Sequence, residues 1–141
     1  MIGFDTQEHE LVEQGDLSVA FPLHEARGTA STAVVLFELA PSSALPSHTD
    51  SAEETLLVLR GEGEATIGDE TARLTAGQAA VVPASAPHGI RNVGEEPLRV
   101  LGFFSSATIL SVFAEPPAPG APTLFVNGTP VEALAEVFAP A

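Results

Sequence analysis

The chain has 141 residues, nineteen acidic and five basic, all arginine, for a net charge of −14 at pH 7. That balance repels phosphate backbones and anionic membrane surfaces, so neither nucleic acid nor a membrane is an expected partner. Cysteine is absent, which excludes disulfides and thiolate metal sites, and phenylalanine is the only aromatic residue apart from histidine.

The length suits one domain with a core that needs no covalent staples. No basic stretch followed by an apolar run opens the chain, and no apolar run approaches the ~20 residues that cross a bilayer. A cytoplasmic location is therefore expected. Residues 1–16 are polar and acidic; Gln7 to Gln14 is predicted as a short helix, and Gly15-Asp16 as a turn. Leu17–Pro22 reads as an edge strand ended by proline. Ser31–Leu39, rich in β-branched and aliphatic side chains, reads as a strong strand broken by Pro41.

From Leu45 the chain is a series of short strands with close turn signals. Strands are predicted at Glu54–Arg60, Glu64–Ile67, Glu70–Leu74, Gln78–Val82, Gly89–Asn92, Leu98–Phe104 and Ile109–Phe113, with Gly68-Asp69 as a hairpin turn. The result is an all-β sandwich or barrel. Residues 115–122 hold four prolines and read as a stiff linker. Domain limits of 1–114 for the barrel and 115–141 for a tail follow. In the tail, Thr123–Val126 reads as a strand. Thr129, Pro130 and Glu132 then form a capping box for a short helix carrying Val131, Leu134 and Phe138 on one stripe.

Chemistry concentrates in two stretches, Pro46 to Gly61 and Gly77 to Asn92. On extended chain His48, Asp50 and Glu54 share one parity and point to one face. His88 ends the second stretch behind an apolar run closed by prolines. Two imidazoles and two carboxylates without a thiol make a ligand set for a borderline divalent metal.

These stretches resemble the two motifs of the small cupins. His48, Glu54, Gly61, Gly77, Pro83, His88 and Asn92 fall in that register, and fifteen residues, Glu62 to Ala76, separate the motifs. Three positions depart from the pattern: Ser42 and Ser85 stand where the family has glycine, and Asp50 where it has a second histidine. The resemblance covers about Ser31 to Phe113. It implies a double-stranded β-helix, a jelly-roll barrel of two antiparallel sheets, holding Fe, Mn, Ni or Zn through His48, Asp50, Glu54 and His88. If all four bind, the two carboxylates neutralise a divalent ion. If Asp50 or Glu54 stays off the metal, two histidines and one carboxylate form a facial triad, and the freed carboxylate is a candidate general base.

Leu56, Val58, Val82 and Phe103 are the expected pocket walls, with Arg99 a candidate to hold a substrate carboxylate. Leu57 and Leu59 have the opposite parity to Glu54, so they lie on the barrel's outer surface and call for a cover. A second copy of the chain is the expected one, as is common among cupins. His9 and His24 read as solvated loop residues, Glu53 as a surface charge, and Asn92 as structural. Ser85 has no base at a suggestive spacing.

The leading functional expectation is a small metal-dependent enzyme, of oxygenase, isomerase or decarboxylase type, acting on a small and mostly apolar molecule. The alternative is a non-catalytic cupin that binds a small ligand as sensor or carrier. His-x-Asp followed by a distant His is also the ligand pattern of oxoglutarate-dependent oxygenases. The short spacing here and the better fit of the second cupin motif rank that reading last.

Overall fold

Alternation decides which residues face inward. In β5 (Glu54–Arg60), Glu54, Leu56 and Val58 are buried, while Thr55, Leu57 and Leu59 are half-buried on the opposite face. The computed structural model describes residues 1–131. β5 belongs to a six-stranded sheet with β1 (Val12–Gln14), β2 (Leu17–Leu23), β3 (Ala33–Leu39), β8 (Ala79–Val82) and β10 (Leu98–Phe104). Its order is β1-β2-β3-β10-β5-β8. The second sheet has seven strands: β4 (Ala44–Asp50), β6 (Glu62–Ile67), β7 (Glu70–Thr75), β9 (His88–Asn92), β11 (Leu110–Phe113), β12 (Leu124–Val126) and β13 (Thr129–Pro130). They run in the order β13-β12-β11-β4-β9-β6-β7, and neighbours in both sheets are antiparallel. Val58, Val82, Leu98, Val100 and Ile109 are fully buried core residues. This is the jelly-roll barrel that the motifs imply.

Prolines sit where the ladders break. Pro22 lies at a register shift between Ala20 and Leu23 in β2, and Pro46 at one between Leu45 and His48 in β4. A residue without an N–H is tolerated in a sheet mainly at such bulges. β2 is not an edge strand as expected, because the short β1 pairs along its outer side. No helix forms over Gln7 to Gln14. Asp5 caps a single turn by accepting from the Gln7 and Glu8 amides at 2.8 and 2.9 Å, and Val12–Gln14 then joins β2 through the Gly15-Asp16 hairpin. One turn without an apolar face to dock does not propagate.

The proline-rich segment does not lead away from the barrel. Pro117 lines the barrel cavity, Ala118 is buried, and Pro119 lies beside Gly15. The chain then adds β12 to β11. Thr129 and Pro130 do not open a helix; they pair with Val126 and Phe125 as β13. The helix expected beyond them, with Leu134 and Phe138, lies outside the described residues.

Asn92 is structural, as expected. Its side-chain amide donates to the carbonyls of Leu39 and Glu96 at 3.0 and 2.9 Å and accepts from the Gly94 amide at 2.9 Å, tying β9 to β3 and to the turn that follows.

The two serines that replace family glycines keep the glycine backbone. Ser42 has φ 69° and Ser85 φ 64°, both left-handed. That region costs an L-residue roughly 1–2 kcal/mol, against a folding-entropy cost of about 0.5–1 kcal/mol for introducing glycine. Strain wins by a small margin. Ser42→Gly and Ser85→Gly should each raise stability by about 0.5 kcal/mol or more. Urea denaturation checks this through the transition midpoint.

Candidate metal centre

Cross-strand register assembles the site. In the seven-stranded sheet His48 of β4 sits directly opposite His88 of β9 on one side and Phe113 of β11 on the other, and Asp50 opposite Ser111. Glu54 comes from β5 in the facing sheet. Gly102, beside it on β10, carries no side chain, and a Cβ there would overlap the Glu54 carboxylate and press on Val35. All four candidate ligands are at least nine-tenths buried: His48 is 7% exposed, Asp50 4%, Glu54 3% and His88 3%.

Both rings are aimed by the same device. His48 Nδ1 lies 2.9 Å from the Pro46 carbonyl, and His88 Nδ1 lies 2.9 Å from the Ala86 carbonyl, each two residues back. An Nδ1–H donating to that carbonyl leaves Nε2 to face the cavity as a ligand atom. Phe113 stacks on the His48 ring, with centroids 4.4 Å apart and planes 19° apart. His88 Nε2 stands 3.1 Å from Asp50 Oδ2 and 3.3 Å from Glu54 Oε1; His48 Nε2 stands 3.6 Å from Asp50 Oδ2. The Ser111 hydroxyl donates to the other Asp50 oxygen, Oδ1, at 2.6 Å.

His88 Nε2 and Asp50 Oδ2 are buried without a well-formed hydrogen bond to any neighbour. Buried polar atoms left this way are rare in native proteins and call for a missing partner. The ligand atoms of His48, Asp50 and His88 lie within 4.8 Å of one another, so these three residues fit a divalent metal. Glu54 approaches the set only through His88.

Burial is the largest influence on each group, and it is answered differently. On His88 it favours the neutral ring, but the Asp50 and Glu54 carboxylates outweigh it and raise the pKa to about 10. Burial also pushes Asp50 up, yet His88, His48 and the Ser111 hydroxyl together bring it below the usual carboxylate range. Glu54 is held above that range by burial. His48 is lowered by burial and by neighbouring His88. A proton on His88 thus relieves the repulsion between the two carboxylates when no cation does.

The cavity beside this set measures about 90 Å³ and has walls of Leu56, Val19, Val35, Phe37, Ile90 and Phe104, among others. Of the expected wall residues, Leu56 lines it. Val58 and Val82 are buried in the core without reaching the cavity wall. Phe103 has the outward parity and is 45% exposed; Phe104, one residue on, takes its place. Arg99 also points outward. It is buried because its guanidinium donates to the carbonyls of Thr6 and His9 at 2.8 and 3.1 Å and pairs with Glu38 at 3.3 Å. Ser111 and Phe113 escaped the sequence reading. The signal was present in Leu110–Phe113, where Ser111 and Phe113 share the parity opposite to Leu110 and Val112.

A cupin-domain profile matches residues 35–104. That stretch is a cupin domain, and the two-sheet barrel and the buried histidine–carboxylate set agree with it. Among solved structures the chain is similar to oxalate decarboxylase from Bacillus subtilis, at 21% identity and TM-score 0.67, over 77% of this chain and 30% of that one. It is also similar to Lactobacillus farciminis oxalate decarboxylase in its formate complex, at 20% identity and TM-score 0.71, over 79% and 35%. The Schizosaccharomyces pombe Cnp3 cupin domain matches at 21% identity and TM-score 0.65, over 74% of each chain. The chain spans about a third of the length of the decarboxylases. At these identities the likeness is one of fold. No match was found among curated protein sequences.

The electrostatics predict a pH slope in chelator-treated protein. The folded His88 pKa of about 10 exceeds the ordinary histidine value of 6.5. Its contribution to stability is present below pH 6.5 and lost as pH rises through 10. The melting temperature of the metal-free protein should fall across that window, and His88→Ala should flatten the slope. A wild-type melting temperature constant from pH 6.5 to 10 contradicts the assignment.

Proposed function

We propose that this cupin is a small metal-dependent enzyme, of oxygenase, isomerase or decarboxylase type, acting on a small and mostly apolar molecule. The observation that carries the reading is the convergence of His48 Nε2, His88 Nε2 and Asp50 Oδ2 beside an apolar cavity. In this reading His48, Asp50 and His88 form the facial triad, and Glu54, 3.3 Å from His88 Nε2, is the group beside it that exchanges a proton with substrate. A divalent transition metal, Fe, Mn, Ni or Zn, bound there supplies Lewis acidity and, for the redox-active ions, one-electron chemistry. Mn(II) centres are described for the Bacillus subtilis oxalate decarboxylase. Ser111 holds Asp50 by Oδ1 and leaves Oδ2 for the ion, while Phe113 fixes the plane of the His48 ring. Burial holds Glu54 above the usual carboxylate range, the direction that favours a general acid–base group.

Elemental analysis of protein purified without a metal-binding tag tests the reading. Wild type should carry about one divalent transition metal per chain, and His48→Ala and His88→Ala less than a tenth of that. Glu54→Gln should keep its metal and lose turnover. If wild type and His88→Ala are equally empty after growth in metal-supplemented medium, the ligand-binding alternative takes over.

The outer face of the six-stranded sheet supports a homodimer. Leu57 sits between Ala79 and Leu101, and Thr55 between Val81 and Phe103, so the face reads as a nearly uncharged block across three strands. Val81 and Phe103 are 57% and 45% exposed on it. Leu59 extends the same face, half-buried. On a chain of net charge −14 an uncharged patch of this kind is conspicuous, and a second copy matches it without bringing charge into the contact. Phe103→Glu with Leu57→Glu would place two carboxylates in that contact at a cost of several kcal/mol. The double variant should sediment as a monomer. A wild-type monomer at micromolar concentration rules the dimer out.

A further inference from the structure

The geometry points to an uncharged molecule of single-ring size, polar at one end only, as the occupant of the barrel cavity, with anionic molecules disfavoured. This deepens the enzyme reading above and rests on it for the direction in which the polar end faces.

Charge is the first argument. None of the five arginines lines the cavity. Arg27, Arg60, Arg73 and Arg91 are exposed. The fifth, Arg99, is turned away toward Glu38 and the carbonyls of Thr6 and His9. Among the described residues, the ionisable groups that do face the cavity are His48, Asp50, Glu54 and His88. A divalent ion held by Asp50, with ionised Glu54 beside it, would be formally neutral. An anion placed in this cavity would give up its hydration without meeting a compensating charge, which is costly in an apolar surrounding. A neutral molecule with one hydroxyl or carbonyl faces no such penalty.

Shape is the second. Five phenyl rings, Phe21, Phe37, Phe104, Phe113 and Phe125, contribute to the walls. Phe21 and Phe104 lie nearly parallel, with centroids 6.4 Å apart and planes 7° apart. Phe113 and Phe125 meet edge to face, with centroids 5.6 Å apart. Gly128 keeps Phe21 in place, since a Cβ there would come within 2.6 Å of its ring. Walls of this kind favour a flat ring through offset and edge contacts. A cavity of about 90 Å³, against about 150 Å³ for an apolar cavity that takes benzene, limits the occupant to one ring at most. The polar side chains cluster around the candidate metal centre, so the molecule's polar end turns there. Exposed Gln14 is the polar side chain away from that cluster.

Calorimetric titration of wild-type protein, metal-free and zinc-loaded, with phenol and with benzoate tests this. The two probes share the ring and differ in charge. Phenol should bind saturably and at least tenfold more tightly than benzoate to both forms. Val19→Trp, which fills part of the cavity from its half-buried wall while leaving the four ionisable residues intact, should keep zinc and weaken phenol at least tenfold. Benzoate binding as tightly as phenol overturns the inference, and so does phenol binding unaltered by Val19→Trp. Zinc stoichiometry is read on the same samples. A protein that takes no zinc but keeps the phenol preference sinks the enzyme reading alone. One that takes one zinc and prefers benzoate sinks this inference alone.

Discussion

Burying four ionisable side chains at one point is the constraint on which the barrel's interior depends. Each isolated charge moved out of water costs several kcal/mol unless it meets a partner. The register answers this by pairing rather than by exposure. His48 lies across from His88, Asp50 across from Ser111, and Glu54 reaches His88 from the opposite sheet. The two Nδ1 contacts to carbonyls of Pro46 and Ala86 lock the rings before any ligand arrives. Those carbonyls are in position because Pro46 sits at a bulge in β4 and Ala86 in the turn that leads into β9. Backbone irregularity and side-chain chemistry are therefore one feature here.

The same constraint explains where the chain has no side chain. Gly102 leaves the space the Glu54 carboxylate occupies, and Gly89 lets β9 approach the Leu45 carbonyl, where a Cβ would stand 2.8 Å away. Ser85 is held in left-handed backbone while its amide donates to the Asp50 carbonyl at 2.8 Å. That bond ties the turn carrying Ala86 and His88 to the strand carrying Asp50. A strained residue that fixes two ligand-bearing segments relative to each other is how local strain persists at functional sites.

Much of this was legible because β-strands alternate and because the motif spacing fixes which strands face each other. The β5 and β10 boundaries and the shared parity of His48, Asp50 and Glu54 came directly from that rule. What could not be read was pairing between distant strands. Ser111 and Phe113 enter the site only because β11 lies beside β4, a contact made across 61 residues for Ser111 and Asp50. Phe103 was placed in the pocket by its type; its parity, one residue out from Phe104, sends it outside. Arg99 is a candidate from sequence because a strand arginine facing the cavity could hold a substrate carboxylate. Its partners are instead backbone carbonyls ninety or more residues earlier, which no local pattern announces. The helix expected near residue 7 failed for a related reason: pairing with β2 gave Val12–Gln14 a partner that propensity ignores.

Asp50, the departure from the family motif, is coherent with the rest of the interior. A histidine at this position would leave a divalent ion with one carboxylate and a net charge of +1, an attractive point for anions. An aspartate would bring the set to neutrality with an ion bound and, without one, favours a proton on His88. The aspartate also needs a donor on its second oxygen, which Ser111 supplies from β11, the neighbour of β4 on that side. The one well-buried arginine, meanwhile, is spent on the outer surface to secure the N-terminal segment. Ligand charge, the serine beneath it and the missing cation all act in one direction. Among the described residues they leave the ionisable groups of the cavity gathered at one point, with apolar walls beyond.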